Sequence, residues 1–428
     1  MYKENALNAL KRVPTVFKDL YGHDPIRLET KRQQYISLLH RFDEVFPGHE
    51  SFSFFSTPGR TEVGGNHTDH NAGRVLAGAV DLDVVCVASP NSKNEINIKS
   101  DGYPQFKVNI ADLEINSAEI ATSISLVRGI CSRYKETGKN IGGFDAYVFG
   151  QVPKGSGLSS SAAFEVAIAT ILSEFFNDGK VDPVEMAIIS QYAENHYFGK
   201  PCGLMDQTTC AVGGLITIDF RDFSNPLIEK VNFDFMSTGY SVVIVDTGGN
   251  HADLTDEYAA LASEMKSVAV ASGGLVMRDI LPDIFIHNIS KIRGTVNDRA
   301  LLRAFHFLED NERVLKQVAA LHNNNLNEFL QLIIDSGRSS WMFNQNIFSS
   351  KNVYEQGISI ALIVSEYILR GKGAWRVHGG GFAGTIQAFV PKELLREYIG
   401  TLSSIFGLNS CHTLMIRNKA TCKVDLSS

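Results

Sequence analysis

The chain has 428 residues, of which 44% are apolar and 20% are charged, and its formal net charge is −7. This length is sufficient for two domains with sizeable cores. The negative charge argues against nucleic acid or an anionic membrane as a partner, because those partners select clustered Lys and Arg. No apolar run approaches the roughly 18 residues of a membrane span, and the first residues lack the apolar core of a secretion signal, so we expect a cytoplasmic protein.

The first 50 residues carry helical patterns. Apolar side chains recur at helical spacing in residues 6–21 and 30–46, and Gly22 and Pro25 separate the two segments. We interpret this region as an N-terminal helical cap.

Short apolar or alternating runs follow the cap. Residues 51–55 and 80–88 are typical of strands, and a glycine-rich polar loop joins them. Residues 144–152 predict another strand, and residues 159–176 predict a helix rich in small side chains. The segment between this strand and this helix is rich in Gly and Ser.

A further helix has a clear start signal at Asp182, which can cap it. Pro183 suits the first helical position and Glu185 stands where a capping box has its acidic residue. The C-terminal end of this helix carries Glu194. Beyond it, the pattern predicts strands at residues 215–220 and 240–246 and a largely helical region at 252–370. A glycine-rich turn at 377–384 and a last strand at 386–390 follow.

The Gly/Ser segment at residues 153–163 has the layout of a phosphate-binding loop. Glycines allow backbone N–H groups to approach an anion closely, and a helix N-terminus adds unpaired donors and a partial positive charge. It is neither a Walker A loop nor a GxGxxG loop. A plain Gly/Ser turn that caps a helix is the alternative reading of this loop considered alone.

Several separated motifs together resemble the GHMP kinase family, which includes galactokinase, homoserine kinase, mevalonate kinase and phosphomevalonate kinase. The first motif is similar to the galactokinase form GRxNxIGEHxDYxxGxVLP, and it reads GRTEVGGNHTDHNAGRVLA from Gly59 to Ala77. The motifs that carry the resemblance lie at residues 57–60, 64–70, 153–163, 202–207 and 377–384.

The resemblance implies an α+β fold with two domains. An N-terminal mixed-sheet domain would hold the phosphate loop, a C-terminal ferredoxin-like domain would hold the second glycine-rich turn, and the active site would lie between them. We place the domains at residues 1–209 and 210–428. A monomer or weak homo-oligomer is expected.

The resemblance also implies the catalytic residues. Phosphoryl transfer needs in-line positioning, neutralisation of phosphate charge and a group that takes the hydroxyl proton. Asp206, in a CGLMDQ segment similar to the family's CGIMDQ, would be the base. Arg60 would keep Asp206 ionised and offset the charge that develops on the phosphoryl group.

ATP as co-substrate and Mg²⁺ as cofactor follow from the same resemblance. Mg²⁺ prefers one or two protein oxygens together with phosphate oxygens and water. Ser161 and Glu194 match the family's metal ligands, and Glu165, one helical turn after Ser161, is a possible substitute. The expected ATP-binding residues are Gly155, Ser156, Gly157, Leu158, Ser159, Ser160 and Ser161.

For the sugar, the resemblance implies that Asp69 grips adjacent ring hydroxyls, with His67 beside it. Gly203 would offer its backbone, and Tyr258 matches a sugar-contacting tyrosine, although the basic run that usually follows that tyrosine is absent here. The function implied is an ATP-dependent sugar 1-kinase acting on a hexose or a C6-modified hexose.

Asn66 departs from the family pattern, because it occupies the place of the glutamate that typically meets the C6 hydroxyl of galactose. As a substrate-binding residue, Asn66 would admit a C6 carboxylate that a glutamate would repel. A kinase for a uronic acid such as galacturonate is therefore one alternative. The other reading is that Asn66 replaces one hydrogen bond with another, and the sequence leaves both open.

A non-catalytic sugar sensor is the remaining alternative. Sensors of this family bind ATP and sugar without turnover, and their loss of catalysis accompanies changes in the Gly-Leu-Ser-Ser-Ser loop. This chain keeps that loop together with Asp206 and Arg60. The enzyme interpretation is therefore favoured.

Overall fold

The computed structural model describes residues 1–152, 157–249 and 254–427. Three helices cover one face of a large sheet, four helices cover its other face, and a smaller sheet packs nearby with the remaining helices. The helices are α1 (Lys3–Ala9), α2 (Val16–Tyr21), α3 (Pro25–Val45), α4 (Ser123–Glu136), α5 (Ser160–Phe176), α6 (Pro183–Ala193), α7 (Met205–Val212), α8 (Thr255–Ala271), α9 (Pro282–Ile292), α10 (Asp298–His322), α11 (Leu326–Ser339), α12 (Gly357–Leu369) and α13 (Leu395–Phe406).

The strands fall into two sheets. Their bounds are β1 (Ser53–Gly64), β2 (Arg74–Pro90), β3 (Glu95–Ser100), β4 (Phe106–Asn109), β5 (Phe144–Gly150), β6 (Leu215–Asp219), β7 (Leu227–Lys230), β8 (Tyr240–Asp246), β9 (Ala374–His378), β10 (Thr385–Pro391), β11 (Cys411–Leu414) and β12 (Cys422–Val424).

The N-terminal cap has three helices where the periodicity predicts two. The helical pattern of residues 6–21 is interrupted because Pro14 fixes its own backbone and lacks an N–H donor. The long helix α3 begins at Pro25, earlier than predicted, and the Asp24 side chain caps it by accepting from the backbone N–H of Arg27 at 2.8 Å. Pro25 thus starts a helix instead of only separating two.

A buried polar group attaches the cap to the large sheet. Asp83 of β2 is fully buried, and its carboxylate accepts from Lys31 Nζ at 2.8 Å and from the Tyr21 hydroxyl at 2.7 Å. Arg417 approaches the same carboxylate at 3.5 Å. Lys31 also donates to the side chain of Gln151, which lies just before the phosphate loop. The cap is therefore part of the packed core.

The large sheet has the order β12-β1-β2-β5-β3-β4, and β6 pairs with both β2 and β7. Only the β3–β5 pairing is parallel among these strands, so the sheet is mixed. The apolar side chains of α4 to α7 share one core with the inner face of this sheet. This arrangement brings the N-terminus of α5 and the start of α7 to the same end of β1.

The smaller sheet is antiparallel with the order β11-β8-β10-β9. Its apolar face packs with α12 and α13. The second glycine-rich turn joins β9 to β10 and faces the N-terminal part of the molecule. Within the described residues, no helix has both the length and the apolar character that crossing a membrane requires.

The domain division at residues 209 and 210 stays a prediction, and the sheets themselves divide differently. Strands β6, β7 and β12 follow residue 209 in the chain but belong to the large sheet. In particular, β12 pairs with β1 with Phe54 opposite Val424. The chain therefore returns to the first sheet at its C-terminal end.

Candidate active site

The described part of the phosphate loop leads directly into α5. Gly157 has a φ of 67° and Ser159 a φ of 57°, so the chain turns sharply before the helix begins at Ser160. The first backbone N–H groups of α5 are thereby available to an anion. Two of the predicted ATP-binding residues, Gly155 and Ser156, lie outside the described residues.

Asp206 and Arg60 lie in direct contact. Arg60 Nε donates to Asp206 Oδ1 at 2.7 Å, and Nη2 donates to Oδ2. The Ser159 hydroxyl also donates to Oδ2. Burial raises the pKa of the Asp206 carboxyl, but the charge and hydrogen bonds of Arg60 and the bond from Ser159 outweigh it, so the net pKa is lowered. Asp206 is therefore an ionised acceptor at neutral pH.

Arg60 also fixes the phosphate loop. Its Nη1 donates to the carbonyl of Gly157, and its backbone N–H donates to the carbonyl of Leu158 at 3.1 Å. The pairing of β1 with β2 shifts register between Pro58 and Arg60, and such irregularities change the direction in which a side chain points. One strand irregularity thus links the loop to the carboxylate.

The predicted loop residues take different positions. Leu158 is fully buried in the core, so only its backbone can face a ligand. The hydroxyl of Ser159 is directed at Asp206, whereas Ser160 and Ser161 are partly exposed in the first turn of α5. Ser161 is thus placed to offer its hydroxyl to a phosphate or a metal.

A pair of buried carboxylates lies beside this cluster. Gln207 Nε2 donates to Glu194 Oε2 at 2.8 Å and to Glu165 Oε2 at 3.1 Å. Lys200 Nζ contacts Glu194 Oε1 at 3.2 Å. Burial, followed by the negative charge of Glu194, raises the pKa of Glu165 well above its ordinary value. The raised pKa favours the protonated form of Glu165, and Lys200 partly offsets the charge of Glu194.

Two of the residues predicted to bind the sugar, Gly203 and Asp69, lie in close contact. A Cβ on Gly203 would lie 2.1 Å from Asp69 Oδ2, so only glycine fits beside this carboxylate. Asp69 Oδ1 accepts from the backbone N–H of His70 at 3.0 Å, whereas Oδ2 accepts no hydrogen bond from any residue that the structure describes. Asp69 Oδ2 can therefore accept hydrogen bonds from the hydroxyl groups of a ligand.

His67 holds the second glycine-rich turn. Its Nε2 lies 2.9 Å from the carbonyl of Gly380 and must donate to it. Burial, with a smaller contribution from His70, lowers the pKa of His67 to about 3. The ring is therefore neutral, and Nδ1 is the acceptor.

Tyr258 lies on the other side of the same turn. Its hydroxyl donates to the carbonyl of Gly381 at 3.0 Å, and its ring packs edge-on against Phe382 at 5.6 Å. A Cβ on Gly380 would meet the Tyr258 ring at 2.4 Å. His67 and Tyr258 are thus both positioned by this turn.

Asn66 forms its side-chain hydrogen bonds within the protein. The side chain is completely buried, and both its N–H bonds are used by protein acceptors, Glu62 Oε1 at 3.0 Å and the Gly379 carbonyl at 2.9 Å. Its Oδ1 accepts from Asn346 Nδ2 at 2.9 Å. Every polar atom of the Asn66 side chain has a partner within the protein, and the prediction that Asn66 meets the C6 group of a sugar stays a prediction.

Several site residues escaped the sequence analysis. Gln207 follows the predicted base in the chain but had no assigned role, and Lys200 contacts Glu194, which is a predicted metal ligand. The buried ion pair between Arg376 and Glu62 joins β9 to β1. The sequence shows that Glu62 stands where the family motif has an asparagine, but it does not show that Arg376 is its partner.

Comparison with known proteins agrees with this geometry. Residues 125–214 match the family described as GHMP kinases N terminal domain, and residues 40–90 match the galactokinase galactose-binding signature. A galactokinase of Clostridium tetani is 29% identical over 360 residues, which cover 81% of this chain and 86% of that protein.

Solved structures show the same fold. Lactococcus lactis galactokinase complexed with galactose superposes with a TM-score of 0.79 at 22% identity, and the match covers 91% of this chain and all of the other, 100%. Methanococcus jannaschii mevalonate kinase superposes with a TM-score of 0.61 at 15% identity, covering 86% of this chain and 99% of the other.

The fold, the phosphate loop entering α5 and the matched N-terminal domain define a GHMP kinase, an α+β phosphotransferase with an alcohol group as acceptor. ATP is the co-substrate of this class. Within the superfamily, the chain belongs to the galactokinase family, because both the galactose-binding signature and the Clostridium tetani relative lie there. It is a sugar kinase, and the predicted family and fold class are confirmed.

Proposed function

We propose that this enzyme transfers the γ-phosphoryl group of ATP to the C1 hydroxyl of galactose. The galactose-binding signature at residues 40–90 supports this acceptor. The observation that carries the proposal is the cluster in which one carboxylate, Asp206, accepts from both Arg60 and Ser159 at the mouth of the phosphate loop. Such a cluster orients an ionised acceptor toward an incoming hydroxyl.

In the proposed reaction Asp206 receives the proton of the attacking hydroxyl. Its Oδ1 accepts only from Arg60 Nε among the described residues, so it retains a lone pair for the substrate. Arg60 is itself almost fully buried, at 6% exposure, and its charge offsets the negative charge that accumulates during transfer. The same guanidinium fixes the loop that would hold the phosphates, which couples proton acceptance to phosphate position.

Mg²⁺ fits the residues beside this cluster. Glu194 offers a buried carboxylate and Ser161 a partly exposed hydroxyl, while Glu165 Oε1 and Gln207 Oε1 are buried without a partner among the described residues. No cluster of three or more His, Cys, Asp or Glu side chains suited to a metal occurs within the described ranges, which agrees with an ion held mostly by phosphates and water. When bound, Mg²⁺ neutralises charge on the ATP phosphates.

For the sugar we assign Asp69 the central role. Its Oδ2, which has no partner among the described residues, can accept from ring hydroxyls, and Gly203 approaches this oxygen closely. Neutral His67 adds an acceptor at Nδ1. An unmatched buried polar group costs roughly 1 to 3 kcal/mol, so a sugar that lacks the matching hydroxyls binds more weakly.

The uronate alternative depended on contact between Asn66 and the sugar. Because every polar group of that side chain is used within the protein, the Asn66 side chain offers no contact to a C6 carboxylate. Sensors of this family carry changes in the Gly-Leu-Ser-Ser-Ser loop, whereas this chain keeps that loop, and Arg60 and Ser159 both donate to Asp206.

The test is ADP release by the purified protein with ATP, Mg²⁺ and a panel of galactose, glucose, galacturonate, glucuronate and 6-deoxygalactose. We expect the highest kcat/KM on galactose, and phosphorus NMR of the product should show a sugar 1-phosphate. A higher kcat/KM on either uronate, or no sugar-dependent ADP release, would contradict the proposal.

A further inference from the structure

Asn66 stands at the centre of a buried polar cluster. Its side-chain N–H groups donate to Glu62 and to the Gly379 carbonyl, as described above. Its Oδ1 faces only donors, and these come from the segment after α11: Ser340 Oγ at 3.2 Å, Asn344 Nδ2 at 3.5 Å and Asn346 Nδ2 at 2.9 Å. A carboxamide has two donor hydrogens and two acceptor lone pairs, so its capacity is filled by the protein.

The backbone of Asn66 is held as firmly as its side chain. Its N–H donates to Asp310 Oδ2 at 2.8 Å, and its carbonyl accepts from His306 Nε2 at 2.8 Å. Asp310 and His306 both lie on α10 and are fully buried. The next residue, His67, has a φ of 60°, which non-glycine residues adopt only when their surroundings enforce it. The contacts of Asn66 supply that enforcement.

The carboxylate in contact with the Asn66 side chain belongs to Glu62. The Glu62 carboxylate receives N–H bonds from Asn66 and from Arg376 Nη2, and Arg376 also donates to the Val63 carbonyl at 2.7 Å. Arg376 is fully buried, so the two charges neutralise each other inside the protein. A second carboxylate placed at residue 66 would meet that of Glu62 at hydrogen-bond distance without water between them.

The two residues also reverse the order of the family motif. In GRxNxIGEHxD an amide precedes a carboxylate by four residues, whereas here the carboxylate of Glu62 precedes the amide of Asn66 by the same four residues. The two side chains are hydrogen-bonded to each other, so one amide and one carboxylate are in contact here, in places opposite to those of the motif.

We propose that Glu62 and Asn66 form an exchanged amide–carboxylate pair that positions the loop bearing His67 and Asp69, and that Asn66 itself makes no contact with the sugar. This inference rests on the proposed function for the identity of the sugar. It makes residue 66 a positioning residue. The acceptor discrimination at C6 is then independent of residue 66.

The test moves the carboxylate charge between residues 62 and 66 while keeping the shape of each side chain. Glu62→Gln, Asn66→Asp and the double variant are compared with the unaltered enzyme by thermal unfolding without ligands and by kcat and KM for galactose and 6-deoxygalactose. We expect Asn66→Asp to lose about tenfold or more in kcat/KM, because it places two buried carboxylates in contact. The double variant should recover most of that loss, because the amide introduced by Glu62→Gln can donate to the new carboxylate.

The ratio of kcat/KM for galactose to that for 6-deoxygalactose is the readout that separates positioning from contact. We expect this ratio to stay within about threefold in all variants, since no contact with the C6 hydroxyl is removed. A tenfold change in the ratio in Asn66→Asp, with unfolding unchanged, would overturn the inference, as would additive effects in the double variant.

Two further measurements keep the test decisive. If Asn66→Asp does not fold, the same comparison is made with Glu62→Asn, Asn66→Glu and their double variant, which reproduces the family order. If the unaltered enzyme phosphorylates neither sugar, the proposed function fails. Thermal unfolding of the four proteins still reports whether residues 62 and 66 are coupled, and additive shifts would again overturn the pair.

Discussion

Replacing Asp206 by Asn tests the catalytic assignment most directly. Three donors face the carboxylate, two from Arg60 and one from Ser159. An amide can accept at only one of its two positions, so its N–H₂ group must face a donor, and it cannot take a proton from the sugar. Loss of a general base lowers kcat by roughly 10² to 10⁴, which corresponds to about 3 to 5 kcal/mol in activation free energy.

The assay is steady-state ADP release with galactose, accompanied by KM for both substrates and by thermal unfolding. We expect kcat to fall by roughly 10² or more while KM for galactose changes by less than about tenfold. Asp219→Asn is the matched control, because Asp219 accepts from Arg74 and Arg278 at 2.8 Å each, away from the phosphate loop. Near-normal kcat in Asp206→Asn, or an equal loss in Asp219→Asn, would refute the assignment of the base.

Three other variants test the surroundings of the site. Gln207→Leu removes the amide that bridges the carboxylates of Glu165 and Glu194. We expect the Mg²⁺ concentration for half-maximal activity to rise about tenfold; an unchanged Mg²⁺ titration would contradict this. The unfolded imidazole of His67 binds a proton near pH 6.5 and the folded one only near 3, so stability should fall by roughly 2 kcal/mol between pH 7 and 5 on its account. Urea unfolding of His67→Gln should show a flatter pH dependence, and parallel curves would count against a neutral His67 ring in the folded protein. Lys31→Met leaves the Asp83 carboxylate with a weaker partner and should lower the free energy of unfolding by roughly 3 kcal/mol in urea titrations; a loss below about 1 kcal/mol would show that Arg417 suffices.

The sequence predicted local elements well where the signal is local. The helix start at Asp182 is observed, with the Asp182 side chain accepting from the N–H of Val184 at 2.8 Å. The predicted strand at residues 240–246 matches β8. Both depend on side chains and spacing within a few residues, which is information a single segment contains.

Contacts between distant segments were beyond the sequence analysis. Asn66 meets Asp310 and Asn346 across more than 240 intervening residues. The sequence does not distinguish a buried Asn or Asp from an exposed one, so the local pattern cannot separate a residue of a buried polar cluster from a surface residue. The family motif marked residue 66 as important, and its contact with Glu62 becomes visible only when the two side chains are seen together.

The pairing of β12 with β1 has a consequence for how the protein is made. Strand β1, which delivers Arg60 to the site, has β2 on one edge and β12 on the other. During synthesis the ribosome produces residues 53–64 long before residues 422–424, so one edge of β1 stays open for most of translation. An open strand edge is a template for pairing with another chain. Nascent or C-terminally shortened forms of this kinase therefore carry an aggregation hazard at the strand that bears Arg60.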